Sequence, residues 1–329
     1  MKRIFFASLL IFLTVSNISN AAKVEKWMWA RGSLHAHTTN SDGDSPPQVV
    51  ADWYRENGYN FLAITDHEKL TDPVPLDNNP NDNFILITGE ELAMPGKESP
   101  IHANAFGITE TIKAPNRTLN AGRSVRRLVE TIRDAGGIPM VNHPNWEKGL
   151  LHTDLLYIDG PYILEIANMG NGSLNEGNLA RLSTEQIWDY LLSNGKEVYA
   201  AATDDMHSIK DGPTGPNGPG KGWVVAKVPE LTPKAVLTAL SKGDFYASTG
   251  VELEDYSFDG ERFYIKVRPK PGKSYMIRFV GKWGSILQET MGTSAIYKVN
   301  RKQEPNSYIR CKVICSDETV AWTQAFRID

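Results

Sequence analysis

The chain has 329 residues and carries 35 Lys+Arg against 39 Asp+Glu, a formal net charge of −4. That length can bury a substantial core. A slightly acidic balance with no Lys/Arg-rich run lacks the footprint of a protein that tracks nucleic-acid phosphates. The two cysteines, Cys311 and Cys315, would stand ~13 Å apart in an extended segment, beyond disulfide reach, so two unpaired core thiols are expected.

In chain order, Met1-Lys2-Arg3 is a short cationic start, Ile4 to Val15 an apolar run, and Ser19-Asn20-Ala21 a small-x-small site. This is the grammar of a signal peptide over 1–21, cleaved before Ala22, and predicts export to the periplasm or beyond. The run falls short of the ~20 residues of a membrane span, and no second hydrophobic stretch follows.

Ser45-Pro46-Pro47 reads as a helix start, with Val49, Val50, Trp53 and Tyr54 at helical spacing and Gly58 at the stop. Phe61 to Ile64 reads as a buried strand. The phrase recurs: helix from Ser124 to Ala135 then strand Ile138 to Val141; helix Thr184 to Asn194 then strand Glu197 to Ala202; a last helix from Pro233 to Ser241. Such alternation predicts an α/β fold with a parallel sheet or barrel over 22–250. Asp211 to Gly222 is a Gly/Pro-rich loop. After Gly250 the helical pattern stops, and short alternating runs predict a small antiparallel, sandwich-like β domain over 251–329.

Strand-like runs are repeatedly followed by metal-type side chains: Asp66-His67, Glu90-Glu91, His143, and Asp205-x-His207. On a barrel that is the active-site rim. His35-x-His37 places two imidazoles on one side of an extended segment, with Asp42 in the polar turn that follows. With Glu91 and His102, the candidate ligands are His35, His37, Asp42, His67, Glu91, His102, His143, Asp205 and His207. Mixed imidazole and carboxylate suits zinc, manganese or iron. Histidines scattered through a core or surface would not fall in pairs at strand ends; His152 alone reads as an ordinary surface residue.

His35-x-His37 with Ser41-Asp42-Gly43, Ile64-Thr65-Asp66-His67, Asn142-His143-Pro144 and Asp205-x-His207 resemble, in order, the motifs of the polymerase and histidinol phosphatase (PHP) superfamily. Lys242 to Gly250 further resembles its carbaryl-hydrolase-like (CehA/McbA) branch. The resemblance implies a distorted (β/α)7 TIM-like barrel and a phosphoesterase using two or three divalent ions. It places His35, His37, Glu91 and Asp205 on one metal, and Glu91, His102 and His143 on a second. Asp42, His67 and His207 would hold a third, and Asp66 would orient His67 or His35. Glu91, rather than Glu90, follows from the Gly-x-Glu pattern. His35, Glu91 and Asp205 are then the catalytic residues, holding the cations that activate water and stabilise an in-line displacement. Arg31, Asn145, Lys148, Glu165 and Asn168 are candidates for contact with a small-molecule or polymer phosphoester. Two rival readings are an amidohydrolase-like or carbamate/ester hydrolase, and an exported metal-dependent protein that binds a glycan or wall polymer without catalysis. Nothing in the sequence fixes an oligomeric state.

Overall fold

The computed structural model describes residues 27–76, 83–95, 100–302 and 307–328; the leader expected at 1–21 lies outside them. The first part of the chain runs β1 (Met28–Ser33), α1 (Pro47–Glu56), β2 (Phe61–Ala63), β3 (Ile85–Ile87), β4 (Gly89–Ala93) and β5 (His102–Phe106). It continues through α2 (Ala121–Asp134), β6 (Ile138–Val141), β7 (Tyr162–Asn168), α3 (Thr184–Ser193), β8 (Val198–Thr203), β9 (Trp223–Val228), α4 (Pro233–Lys242) and β10 (Phe245–Ser248). Then come β11 (Leu253–Phe258), β12 (Arg262–Val267), β13 (Tyr275–Val280), β14 (Ile286–Met291), β15 (Ser294–Lys298), β16 (Ser307–Cys315), β17 (Val320–Thr323) and β18 (Phe326–Ile328). The chain is a mixed α/β protein.

The helices start where local chemistry satisfies their free N–H groups. Ser183 and Gln186 form a reciprocal capping box on α3, and Thr232 caps α4 ahead of Pro233. Two starts differ from expectation. Asn120 caps α2 by accepting from the Arg123 N–H, so the helix starts at Ala121, three residues ahead of Ser124. In α1 the cap position is Pro46 with no side-chain bond, because Ser45 donates instead to Asp44. No α-helix of the described residues is long and apolar enough to cross a membrane.

The strands form three sheets, ordered β14-β13-β16-β17-β10-β9-β1-β2-β3, β11-β12-β15 and β4-β5-β6-β7-β8. A continuous, closed (β/α)7 ladder is therefore not what forms. The reason is local: β4, β5 and β6 pair antiparallel, so the parallel β-α alternation lapses there. The first and third sheets meet instead through single bridges, Ala36 with Met206 and His67 with Glu91. The other break with expectation concerns residue 250. Strand β17 pairs antiparallel with β10, so the ladder runs straight from the N-terminal strands into β16, β13 and β14. Cys311 and Cys315 are free and buried on β16.

Burial follows the strand pattern. Strands β7 and β8 pair in parallel and are buried along almost their whole length, as strands covered on both faces must be. Helices α2 and α3 cover the third sheet with Val125, Leu128, Ile132, Ile187, Trp188 and Leu191.

Candidate metal centre

Each of the nine candidate ligands comes to one place, by different local devices. His35 and His37 lie just past β1, where Ala36 pairs with Met206 and holds the segment extended. Asp42 arrives by a tight reversal in which Ser41 and Gly43 both donate backbone N–H groups to the Thr38 carbonyl. A Cβ on Gly43 would stand 2.5 Å from the His37 carbonyl oxygen, so only glycine closes this turn. Glu91 is in the middle of β4 rather than at a strand end, and His102 opens β5. The antiparallel register sets Ala93 opposite His102 and Glu91 opposite Asn104, which brings His102 onto the Glu91 face. His143 and Asp205 adopt positive φ, 22° and 47°. Both are turns just after strands, and the left-handed kink at Asp205 breaks the strand geometry before His207.

Glu91 is the hub. Its Oε2 is 3.1 Å from His35 Nε2, 3.2 Å from His37 Nε2 and 3.5 Å from His67 Nδ1. Its Oε1 is 3.1 Å from His102 Nδ1 and 3.4 Å from His143 Nε2. Asp205 Oδ1 approaches His35 and His37 Nε2 at 3.2 and 3.3 Å. Asp42 faces His37 Nδ1, His67 Nε2 and His207 Nε2 at 3.4, 3.7 and 3.4 Å. Donor atoms gather as His35/His37/Asp205, His67/Glu91/His102 and His37/Asp42/His67/His207, so His37 and His67 each adjoin two groups. Glu90 points elsewhere, accepting from the Ile112 backbone N–H.

These residues fit divalent cations. Two donors each ~2.1 Å from one ion stand ~3.0–3.4 Å apart, the spacing found around Glu91 and Asp205. His37 Nε2 and His67 Nδ1 are buried and make no hydrogen bond despite their carboxylate neighbours, as lone pairs aimed at an ion would be. Charge points the same way. Burial opposes ionisation of Glu91 and Asp205, yet His35 with His102, and His35 with His37, hold the two carboxyls well below the usual range. Burial would lower His35 and His37, but for His35 it is overcome by Asp205, Glu91 and Glu165, which hold it well above the usual imidazole range. Asp205 and Glu91 push His37 up to about 9. Without metal the cluster takes up protons; the same field would hold cations.

Around the ligands lies a layer that the sequence resolved only in part. Glu165, expected to meet substrate, is fully buried and accepts from His35 Nδ1 at 2.8 Å, from the Thr203 hydroxyl and from the His143 N–H. It thereby fixes the His35 tautomer and turns the Nε2 lone pair inward. Asn168 donates to both Glu165 and Asp205, at 2.8 and 3.0 Å. Asp66 accepts from the Thr38 N–H and from the hydroxyls of Thr38, Ser41 and Thr71, steadying the turn that carries Asp42 rather than His35 or His67. Asn145 holds the Leu174 and Leu182 carbonyls. Arg31 is spent on Tyr59 and Trp223, 4.0 and 3.7 Å from their ring centres. The side chain of Lys148 lies outside the described residues. Asn142 and Asn104 were not anticipated: Asn142 donates to Glu91 and to Asn104, which donates on to the Leu34 carbonyl. A cavity of about 130 Å³ opens over the cluster, walled by Trp146, Asn168, Asn171 and Ser173 with the ligands. Trp146, also unforeseen, packs its ring 5.0 Å from His143 and 5.6 Å from His102. His152 is apart, edge-on to Tyr190.

No family model and no curated protein matches the chain. Among solved structures it is similar to an amidohydrolase from Chromobacterium violaceum with bound sulfate and no metal, at 16% identity and TM-score 0.39 over 57% of this chain and 90% of that one. It is similar to a protein from Bifidobacterium adolescentis assigned as a metal-dependent phosphoesterase, at 16% identity and TM-score 0.40 over 58% and 91% of the two chains. It is also similar to a two-domain protein from Bacteroides vulgatus containing a predicted PHP-like metal-dependent phosphoesterase, at 15% identity and TM-score 0.47 over 91% and 96%.

Proposed function

We propose that this chain is an exported metal-dependent hydrolase of the PHP type, in its CehA/McbA-like branch, that cleaves phosphoesters with two or three Zn, Mn or Fe ions. The observation that carries the reading is the buried Glu91 carboxylate, whose two oxygens face different sets of histidines, as a carboxylate shared by neighbouring cations must. Such cations supply Lewis acidity and, at neutral pH, a nucleophilic water. The chain supplies position. Glu165 and Asn168 fix His35 and Asp205, Asp66 fixes the Asp42 turn, and Trp146 closes one wall against solvent. At about 130 Å³ the cavity is well below the 300–1,000 Å³ that encloses a drug-sized ligand. It suits one phosphoryl group, with the rest of the substrate outside.

Within this reading, residues 22–250 form the distorted barrel in outline, strands β1, β2 and β4 to β8 ringing the cluster; the two single bridges support it. Residues 251–329 form the adjoining β portion, and 1–21 direct export. Mature protein beginning at Ala22 on N-terminal sequencing is the expected result for export. For the reaction, metal-reconstituted protein is assayed on bis(4-nitrophenyl) phosphate, 4-nitrophenyl phosphate, 4-nitrophenyl acetate and a naphthyl carbamate. Metal-dependent phosphoester turnover, abolished in Glu91→Gln, is expected. Turnover confined to the acetate or the carbamate would overturn the phosphoester assignment, and turnover indifferent to chelation would overturn the hydrolase reading altogether.

A further inference from the structure

A second cavity, about 380 Å³, opens between α3 and the C-terminal strands β13, β14 and β16, lined by none of the metal-cluster residues. Its mouth carries Trp283, 59% exposed, and Ile286, 55% exposed. Trp283 is held out deliberately. Its backbone is left-handed, φ 61°, ψ 24°, a conformation that costs a bulky residue on the order of 1 kcal/mol or more. Its N–H donates to Ser193 Oγ at 2.7 Å, and that hydroxyl in turn donates to the Asp189 carbonyl, so the turn is pinned to the last turn of α3. The indole stands 6.0 Å from the Tyr190 ring at 54°. Folding gains nothing from an indole left in water at a strained position; a ligand that covers it would.

The walls below are polar, but their charges are already matched. Arg310 is buried and makes a two-pronged contact with Asp189, at 2.8 and 2.7 Å, and a third with Glu185. Lys312 pairs with Glu185, and Arg278 with Glu289. An anionic or cationic ligand would have to break one of these pairs. An open cleft with an exposed indole, a tilted tyrosine and walls whose charges are paired calls for a ligand with an apolar face and neutral hydroxyls on its edge. A pyranose ring has both: its axial C–H face packs on the electron-rich indole face, and its hydroxyls accept and donate around the rim.

We infer that this cleft binds a neutral glycan, with Trp283 as the stacking platform. The site is separate from the metal centre, and the inference stands whether or not the phosphoester reading does. One chain segment serves both: Asn171 and Ser173 wall the metal cavity, and Leu182 and Ser183 wall the cleft.

The test is native electrophoresis of the full chain in gels containing hydroxyethylcellulose, glycogen, arabinoxylan or galactomannan, with polygalacturonate as a charged control. At least one neutral polymer should retard the wild type. Trp283→Ala should weaken that retardation about tenfold or more, Trp283→Phe should keep most of it, and both should melt and turn over an aryl phosphate as the wild type does. Mobility unchanged in every neutral gel would overturn the inference. So would equal retardation of wild type and Trp283→Ala, or retardation by polygalacturonate alone.

Discussion

Asp204 and Asp205 are adjacent acids with opposite duties, and their separation rests on one backbone angle. At φ 47° Asp205 turns toward His35 and His37, while Asp204 turns away to accept from Tyr54 and from the N–H groups of Gly220, Lys221 and Gly222. Asp205→Asn should therefore cut turnover on the order of 100-fold or more by removing the negative charge that would hold a cation beside His35 and His37, with little change in melting. Asp204→Asn should do the reverse, leaving chemistry nearly intact and lowering stability by roughly 1–3 kcal/mol as a buried acceptor of three amides is weakened. Turnover assays and thermal melts of the two variants, with metal in excess, separate these outcomes. Glu165→Gln keeps shape but weakens the hold on the His35 Nδ1–H, and metal affinity measured by chelator competition should fall about 10–100-fold. The histidines and aspartates that the structure gathers, His102 apart, stood out in the sequence as candidates because they come in short, ordered motifs. Glu165, expected as a substrate contact, is buried on a strand covered on both faces, and nothing in Tyr162 to Asn168 shows that its carboxylate would face His35 rather than a substrate. Asn142 lies inside a quoted motif, but its bond to Glu91 has no sequence signal; Asn104 and Trp146 carry no motif, and only the β4-β5 register brings Asn104 opposite Glu91.

At the scale of elements, the helices were legible through apolar spacing and terminal glycines, with errors of one to three residues at the α1 and α2 starts. The β4-β5 pairing was not, because Gly89 to Ala93 and His102 to Phe106 mix glutamate, histidine and asparagine with small residues and show no clean apolar run, and Glu91 was placed at a strand end. The ladder from β10 into β17 was equally hidden, since pairing between strands some 70 residues apart leaves no periodic trace. It matters for the boundary expected at 250. No described residue after 250 lines the metal cavity, yet Gln324 exchanges two hydrogen bonds with the Ala200 backbone, and Arg327 donates to the Leu192 and Lys196 carbonyls. A chain ending at Gly250 bares the edge of β10 and strips these contacts from α3 and β8, so it should be recovered aggregated or melt far below the full chain. A soluble truncation with full metal content and unchanged melting would show the C-terminal strands to be dispensable.

Over the whole molecule, a nearly neutral charge balance hides a concentrated acidic and imidazole-rich interior. In metal-free protein His37 keeps its proton until about 9, so at pH 7.5 cation uptake must expel protons, and affinity must weaken as pH falls. Calorimetric titration in buffers of different ionisation enthalpy should show net proton release. The central claim, that one buried carboxylate joins neighbouring ions, is tested most directly by elemental analysis after reconstitution with Zn²⁺ or Mn²⁺ and removal of loosely held ion. The account predicts more than one equivalent per chain in the wild type and a clear loss in folded Glu91→Gln; one equivalent or less in the wild type would contradict it.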